Sequence, residues 1–280
     1  MDFKKAAGLV LPEQTLFALP FAWLGVLFAR GHGLRTWLLV TVALAAARTA
    51  GMAFNRAIDA DIDAANPRTK DRAIPKGEVK IYEAVALAVV SCVVLSWASF
   101  LLNPLCFLLS FLAIALLAGY SYFKRFSASS HFCLGVTEAA APIGGYLAVT
   151  GRLDLLSLTL GSAILLWIAG LDIVYALQDK DFDRQAGLHS IPAIYGGKKA
   201  LAVSGLCYAL SFGALTAAGR MTGMSFPYWL ALACVAAFFI YQQKAARAAD
   251  LAAAMRKIFK VNMYVSPALL AGAFIDSLLR

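Results

Sequence analysis

The chain has 280 residues, 61% of them hydrophobic and 15% charged, with a formal net charge of +9. A water-soluble domain of ordinary composition is about 25% charged, so the balance excludes a soluble enzyme or binding module and indicates a polytopic membrane protein. The positive charge follows alternate loops rather than one face, which argues against a nucleic-acid partner.

Apolar stretches of about 20 residues, the length that crosses a bilayer as helix, recur along the chain. They are placed near 13–30, 35–58, 80–102, 104–123, 131–150, 154–178, 199–219, 226–243 and 258–278, about nine spans in one domain over 1–280. Arg30 and Gly31 follow the first span without a small-residue cleavage site, so that span does not read as a signal peptide. Most cations, from Lys4 and Lys5 through Arg68, Lys70, Arg72, Lys76, Lys80, Lys124, Arg125, Lys180, Arg184, Lys198, Lys199 and on to Lys260, fall on one set of loops. Only Arg30, Arg35, Arg152, Arg220 and Arg280 fall on the other. The positive-inside rule then places the N-terminus and both acidic clusters in the cytoplasm, as expected for a bacterial inner-membrane protein. Cys92, Cys106, Cys133, Cys207 and Cys234 lie inside spans without metal-type spacing and read as packing residues.

The second span ends in the first acidic cluster, Asn55-Arg56-Ala57-Ile58-Asp59-Ala60-Asp61-Ile62-Asp63. Asn55, Asp59 and Asp63 are spaced i, i+4, i+8, which stacks them on one helix face with a drift of about 40° per step. Asp61 points away. Arg48, seven residues earlier, lies near the same face but deeper. Oxygen ligands of this kind suit a hard cation such as Mg²⁺, which couples one or two carboxylates to substrate phosphates. A polar loop with Arg68, Arg72 and Lys76 follows, and the fourth span closes on Tyr120-Ser121-Tyr122-Phe123-Lys124-Arg125. Lysines and arginines beside such a site bind phosphate oxygens.

The sixth span ends in the second cluster, where Asp172, Tyr175, Asp179 and Asp183 share one face of a continuous helix, and Asp181 is turned off it. Asp172 lies within the span, where an ionisable group marks function by default. Its alternative is an ion pair with Arg48 that locks two helices together. Asp59 and Asp63 precede Asp179 and Asp183 by 120 residues, and Pro75/Gly77 and Pro192/Gly196 follow in turn. This hints at an internal repeat of about four helices.

Asn55-x3-Asp59-x3-Asp63 followed by Asp172-x2-Tyr175-x3-Asp179-x3-Asp183 resembles the UbiA superfamily of intramembrane aromatic prenyltransferases. The resemblance covers nearly the whole chain. Ala46-Ala47-Arg48-Thr49, Asn66-Pro67-Arg68-Thr69, Tyr122-Phe123-Lys124-Arg125-Phe126 and Gly187-Leu188-His189-Ser190-Ile191-Pro192 are similar to the 4-hydroxybenzoate polyprenyltransferase branch, including bacterial members on the futalosine route to menaquinone. Two departures stand out: Ala73 follows Arg72 where the family often has Pro, and Glu138 occupies the fifth span where a small or apolar residue is expected. Glu138 either faces the cavity and alters acceptor choice or pairs with a neighbour.

The resemblance implies an all-α fold of nine helices around a central cavity, open to membrane lipid and capped by cytoplasmic polar loops. It implies transfer of a polyprenyl group from polyprenyl diphosphate to an aromatic acid acceptor, 4-hydroxybenzoate or a hydroxynaphthoate, in ubiquinone or menaquinone biosynthesis. Asn55, Asp59, Asp63, Asp179 and Asp183 are the expected Mg²⁺ ligands, and Arg68, Arg72, Lys124 and Arg125 the diphosphate partners. Tyr120 and Tyr175 are expected to stabilise an allylic cation, Asp172 to take or orient the phenolic proton, and Arg48 to bind the acceptor carboxylate. The alternatives are another branch of the superfamily or a cation-coupled transporter, which would place acids near the centre of several spans.

Overall fold

The structure is a computed structural model that describes residues 8–10, 12–248 and 250–279. Lys4, Lys5 and Arg280 of the charge pattern lie outside them. The described chain is helical throughout: α1 Pro12–Phe28, α2 Leu34–Ile58, α3 Ala60–Ala65, α4 Ile81–Leu102, α5 Pro104–Gly119, a 3-10 turn Tyr120–Arg125, α6 Ser130–Thr150, α7 Leu155–Ala176, a 3-10 turn Leu177–Asp179, α8 Lys180–Gln185, α9 Ile191–Met221, α10 Phe226–Ala245 and α11 Leu251–Leu278. Eight helical runs, counting Pro104–Arg125 and Leu155–Gln185 as continuous, are long and apolar enough to cross a membrane. The first expected span is shorter, with 17 residues in α1. Large apolar side chains such as Leu38, Val90, Val93, Trp97, Phe100, Leu108 and Phe111 point outward, as a lipid-facing surface requires. Cys234 is also exposed, whereas Cys92, Cys106 and Cys207 are buried as expected.

The helix ends follow local chemistry. The Asn103, Asp154, Ser190 and Asp250 side chains accept hydrogen bonds from first-turn N–H groups, satisfying donors that a helix start leaves open. Gly151 ends α6 with φ 63°, a left-handed cap that suits glycine. The seventh expected span starts earlier than position 199 because α9 opens with a short segment and then breaks at Gly196, φ 80° and ψ 160°. The ninth starts at Leu251 rather than 258, capped by Asp250.

The repeat expected from the two acidic rows appears as two sets of four spans, α2, α4, α5, α6 and α7, α9, α10, α11. In each set a short helix, Ala60–Ala65 or Lys180–Gln185, follows the first member. Gly77 and Gly196, with φ 73° and 80°, precede the main run of the second member. α1 packs against α2, α6 and α11 and closes the ring. It crosses α6 with backbones nearly touching: a Cβ on Gly145 would lie 2.0 Å from Ala22 O, and one on Gly25 2.1 Å from Pro142 O. Glycine there permits the approach that any side chain blocks.

The two sets differ in what fills them. In the second, Trp167 packs edge-on against Phe21 and Phe239, centroids 5.2 and 4.9 Å apart, and Tyr208 stacks on Phe239 at 4.4 Å. In the first, the facing positions are small, with Ala43, Ala47, Ala113, Ala140, Ala141 and Gly144 around a cavity of about 330 Å³. The chamber lies mainly in the first set.

Candidate active site

Each acidic row sits where its helix bends. Asp59 (φ −95°, ψ 10°) separates α2 from α3, and Asp179 (φ −97°, ψ 1°) separates the 3-10 turn from α8. Both have the dihedrals of a turn rather than a helix. Hydrogen bonds continue through the first bend, Asp59 N–H to Asn55 O at 2.9 Å and Asp63 N–H to Asp59 O at 2.7 Å, so Asn55, Asp59 and Asp63 remain a row. The second row is interrupted by the 3-10 turn Leu177–Asp179. A 3-10 turn advances about 120° per residue against 100° in an α-helix, so three residues rotate the chain by about 60°. The turn thus separates Asp172 and Tyr175 from Asp179 and Asp183 within the expected four-residue row.

The cations come from loops and the opposite helix end. Lys124 Nζ lies 2.6 Å from Asp59 Oδ2, and Arg125 Nη1 3.2 Å from Asp59 Oδ1. Asn55 Nδ2 donates to Asp59 Oδ2 at 2.9 Å and to Ser121 Oγ at 3.0 Å. Arg72 Nη1 contacts both oxygens of Asp63 at 2.7 Å, with Arg56 at 3.9 Å. Arg68 grips Asp179 with two donors, Nε to Oδ1 at 2.9 Å and Nη2 to Oδ2 at 2.5 Å, and Asn66 Nδ2 adds a third at 3.1 Å. The hydrogen bond to Asp179 holds the Arg68 guanidinium above its ordinary pKa, against the effect of burial. Asp63 and Asp183 also lie within electrostatic reach of Arg68, so Arg68 sits between the two rows. Asp59 and Asp63 are buried, 2% and 4% exposed, while Asp61 and Asp181 are exposed, as their helical phase predicted.

Among the described residues no three His, Cys, Asp or Glu side chains converge closely enough to hold one ion. Asp59 and Asp63 turn to different cations, so the first row does not form a three-ligand cage. The donor set nevertheless fits a hard cation. Asp59 Oδ1 is buried, accepts no hydrogen bond and is approached only by the Arg125 charge. A carboxylate oxygen of that kind suits Mg²⁺, which completes its shell with substrate phosphate oxygens.

Beneath this cap the deeper residues sort differently from the sequence reading. Arg48 pairs with Glu138, not with Asp172, and both line the chamber. Tyr120 lies within electrostatic reach of Arg48, Glu138 and Asp59. Asp172 Oδ2 is 2.6 Å from His131 Nδ1. The Ile191 N–H donates to His131 Nε2 at 3.2 Å, which puts the ring hydrogen on Nδ1, aimed at the carboxylate. Tyr175 instead packs in the apolar cluster of Leu171, Val174, Met255 and Ile258, its hydroxyl buried without a hydrogen-bond partner. Asn66, Ser121 and His131 were not among the expected site residues. Asn66 lies in a stretch that carries the resemblance and Ser121 directly before another, whereas His131 gives no local signal beyond being a histidine at the start of a span.

A multi-pass helical bundle with a chamber in the membrane and a carboxylate–cation cap at one end defines an integral-membrane enzyme with its polar chemistry at the bilayer edge. The particular family follows from comparison: the model of the UbiA prenyltransferase family matches residues 18–264, and the chain belongs to that family. The 4-hydroxybenzoate octaprenyltransferase of Aromatoleum aromaticum is 33% identical over 99% of this chain and 92% of its own. That of Paraburkholderia phytofirmans is 31% identical over 94% and 93%. The apo structure of a UbiA homologue from Aeropyrum pernix superposes with a TM-score of 0.86 at 34% identity, covering 94% of this chain and 98% of that one. A UbiA homologue from Archaeoglobus fulgidus bound to GPP and Mg²⁺ shares the fold, with a TM-score of 0.78 at 19% identity over 98% and 99% of the two chains. The chain is thus a prenyltransferase, and the transporter alternative falls.

Proposed function

We propose that this protein transfers a polyprenyl group from polyprenyl diphosphate to a ring carbon of an aromatic acid, 4-hydroxybenzoate or a hydroxynaphthoate, in ubiquinone or menaquinone biosynthesis. The observation that carries the reading is the ring of Arg68, Arg72, Lys124 and Arg125 around two carboxylate rows, above a chamber lined by leucine and alanine. Such a site receives an anionic head and an apolar tail together. The likeness to 4-hydroxybenzoate octaprenyltransferases along the whole chain supports an aromatic acceptor.

Asn55, Asp59 and Asp63 on one side and Asp179 and Asp183 on the other would hold Mg²⁺, which when bound would supply charge neutralisation for the diphosphate. The protein's own cations bind the phosphate oxygens and stabilise the negative charge that grows as the C–O bond breaks. The electron pair of that bond leaves on the diphosphate. The allylic carbon bonds to the ring carbon ortho to the hydroxyl, and the proton displaced from that carbon moves to the oxygen, which restores the aromatic phenol. Asp172, oriented by His131 Nδ1–H, takes the phenolic proton as the ring attacks, the one proton released overall. Tyr120, within electrostatic reach of the chamber pair and of Asp59, is the first candidate to stabilise the allylic cation. Tyr175, partly buried against the Leu171 cluster, is the second candidate for that role. The cation-rich cap faces the cytoplasm of a bacterial inner membrane.

The test is mass spectrometry of products after incubating membranes with both acceptors, Mg²⁺ and a ladder of prenyl diphosphates. Prenylated acid with equimolar diphosphate release, lost on chelation and restored by Mg²⁺, is the expected result. Absence of product with every donor–acceptor pair refutes the reading.

A further inference from the structure

The chamber beneath the cap contains a charged pair that the diphosphate chemistry does not use. Arg48 on α2 and Glu138 on α6 form an ion pair with side chains only 17% and 13% exposed. Their surroundings are apolar apart from a few hydroxyls, among them Ser99, Ser110 and Thr137. Arg48 lies seven residues before Asn55, about 10 Å deeper along the helix, where the acceptor ring would stand below the diphosphate. An ion pair in such a place costs desolvation, and apolar side chains would fill it at least as well. Its presence on the chamber wall asks what it recognises.

Arg48 alone would be a simple carboxylate receptor. Glu138 cancels its charge, so a bare carboxylate entering the chamber meets a like charge beside its partner. The same Glu138 is an acceptor. A carboxylate has about four lone-pair sites, and a single guanidinium contact through Oε1 leaves capacity for a donor. Guanidinium N–H groups and a carboxylate side by side match a polar edge that both accepts and donates, such as an acid group with a second ring hydroxyl nearby.

We propose that Glu138 is a specificity-determining residue that accepts a hydrogen bond from a second ring hydroxyl of the acceptor and disfavours aromatic acids lacking one. This rests on the aromatic-acid reading of the site above, and it divides the two acceptor classes named there. A site built to bond a hydroxyl rejects the analogue without it far more strongly than an apolar pocket rejects a change of size.

The experiment compares kcat/KM for 4-hydroxybenzoate, 3,4-dihydroxybenzoate and a 1,4-dihydroxynaphthoate, with one prenyl diphosphate and saturating Mg²⁺. The native protein should prefer the best dihydroxy acid over 4-hydroxybenzoate by at least about tenfold. Glu138→Gln, which keeps the shape and removes the charge, should move that ratio toward 4-hydroxybenzoate by about tenfold, and Glu138→Ala should move it as far or further. Should these variants fail to fold, the native preference among the three acids decides alone. Equal kcat/KM for mono- and dihydroxy acids in the native protein, or a ratio unmoved in active variants, overturns the inference while leaving the prenyltransferase reading intact. Failure of the native protein to prenylate any of the three acids removes the aromatic-acid reading and this inference with it.

Discussion

Replacing Asp59 by Asn tests the cap at its most buried point. The carboxylate is 2% exposed and is held by Lys124 at 2.6 Å, Arg125 at 3.2 Å and the Asn55 amide at 2.9 Å. Breaking a fully buried ion pair costs about 3–5 kcal/mol. Here the two cations are 29% and 32% exposed, so water relieves part of the loss. A destabilisation of about 2 kcal/mol is expected, or roughly 4–8 °C in Tm at this chain length. The catalytic loss should be larger, because the variant removes an oxygen ligand and leaves Lys124 without its anchor. A fall of at least about 100-fold in diphosphate release is expected, the scale seen when one transition-state-stabilising group is deleted. The assay is Mg²⁺-dependent diphosphate release in detergent, with Tm by scanning fluorimetry on the same sample. Retention of more than about a tenth of native activity in a folded Asn variant would refute the reasoning. Asp181→Asn is the matched control: its side chain is 84% exposed, and neither readout should change.

Arg68→Ala removes the two-donor grip on Asp179 and should raise KM for the prenyl diphosphate about tenfold. Stability should move by less than about 1 kcal/mol, because the Arg68 side chain is 47% exposed. Arg68→Lys should rescue KM poorly, since an ammonium lacks the planar fork. His131→Ala leaves the Ile191 N–H without its acceptor and Asp172 without its oriented donor; kcat should fall with KM for the diphosphate nearly unchanged, and an equal rise in that KM would count against a positioning role. Gly145→Leu should abolish stable expression, because even a Cβ there meets Ala22 O at 2.0 Å. Gly144→Ala, with nothing within 4 Å of its Cβ, should keep the native Tm.

Much of the site was legible because helical phase is a strong constraint. Asp61 and Asp181 could be set apart from Asp59, Asp63, Asp179 and Asp183 by spacing alone, and they are exposed. The 3-10 turn that interrupts the row of Asp172, Tyr175, Asp179 and Asp183 was not legible, because three residues carry no distinct sequence mark. Arg48 and Asp172 looked like partners because each was the deep charge of its own row. Their true partners, Glu138 and His131, come from α6, which brings no acidic row of its own.

The sequence by itself determined the class, the approximate spans and the positions of both acidic rows, and hinted at the doubled arrangement of four helices. Hydrophobic run length and helical period are local properties, and each sets its feature without reference to distant residues. Only the tertiary structure decided which cation meets which carboxylate, and which set of four helices mainly holds the chamber. Trp167, Tyr208 and Phe239 fill the second set, while alanine and glycine leave about 330 Å³ open in the first. Volume is filled or left empty by side chains from several helices at once, so no single segment records it.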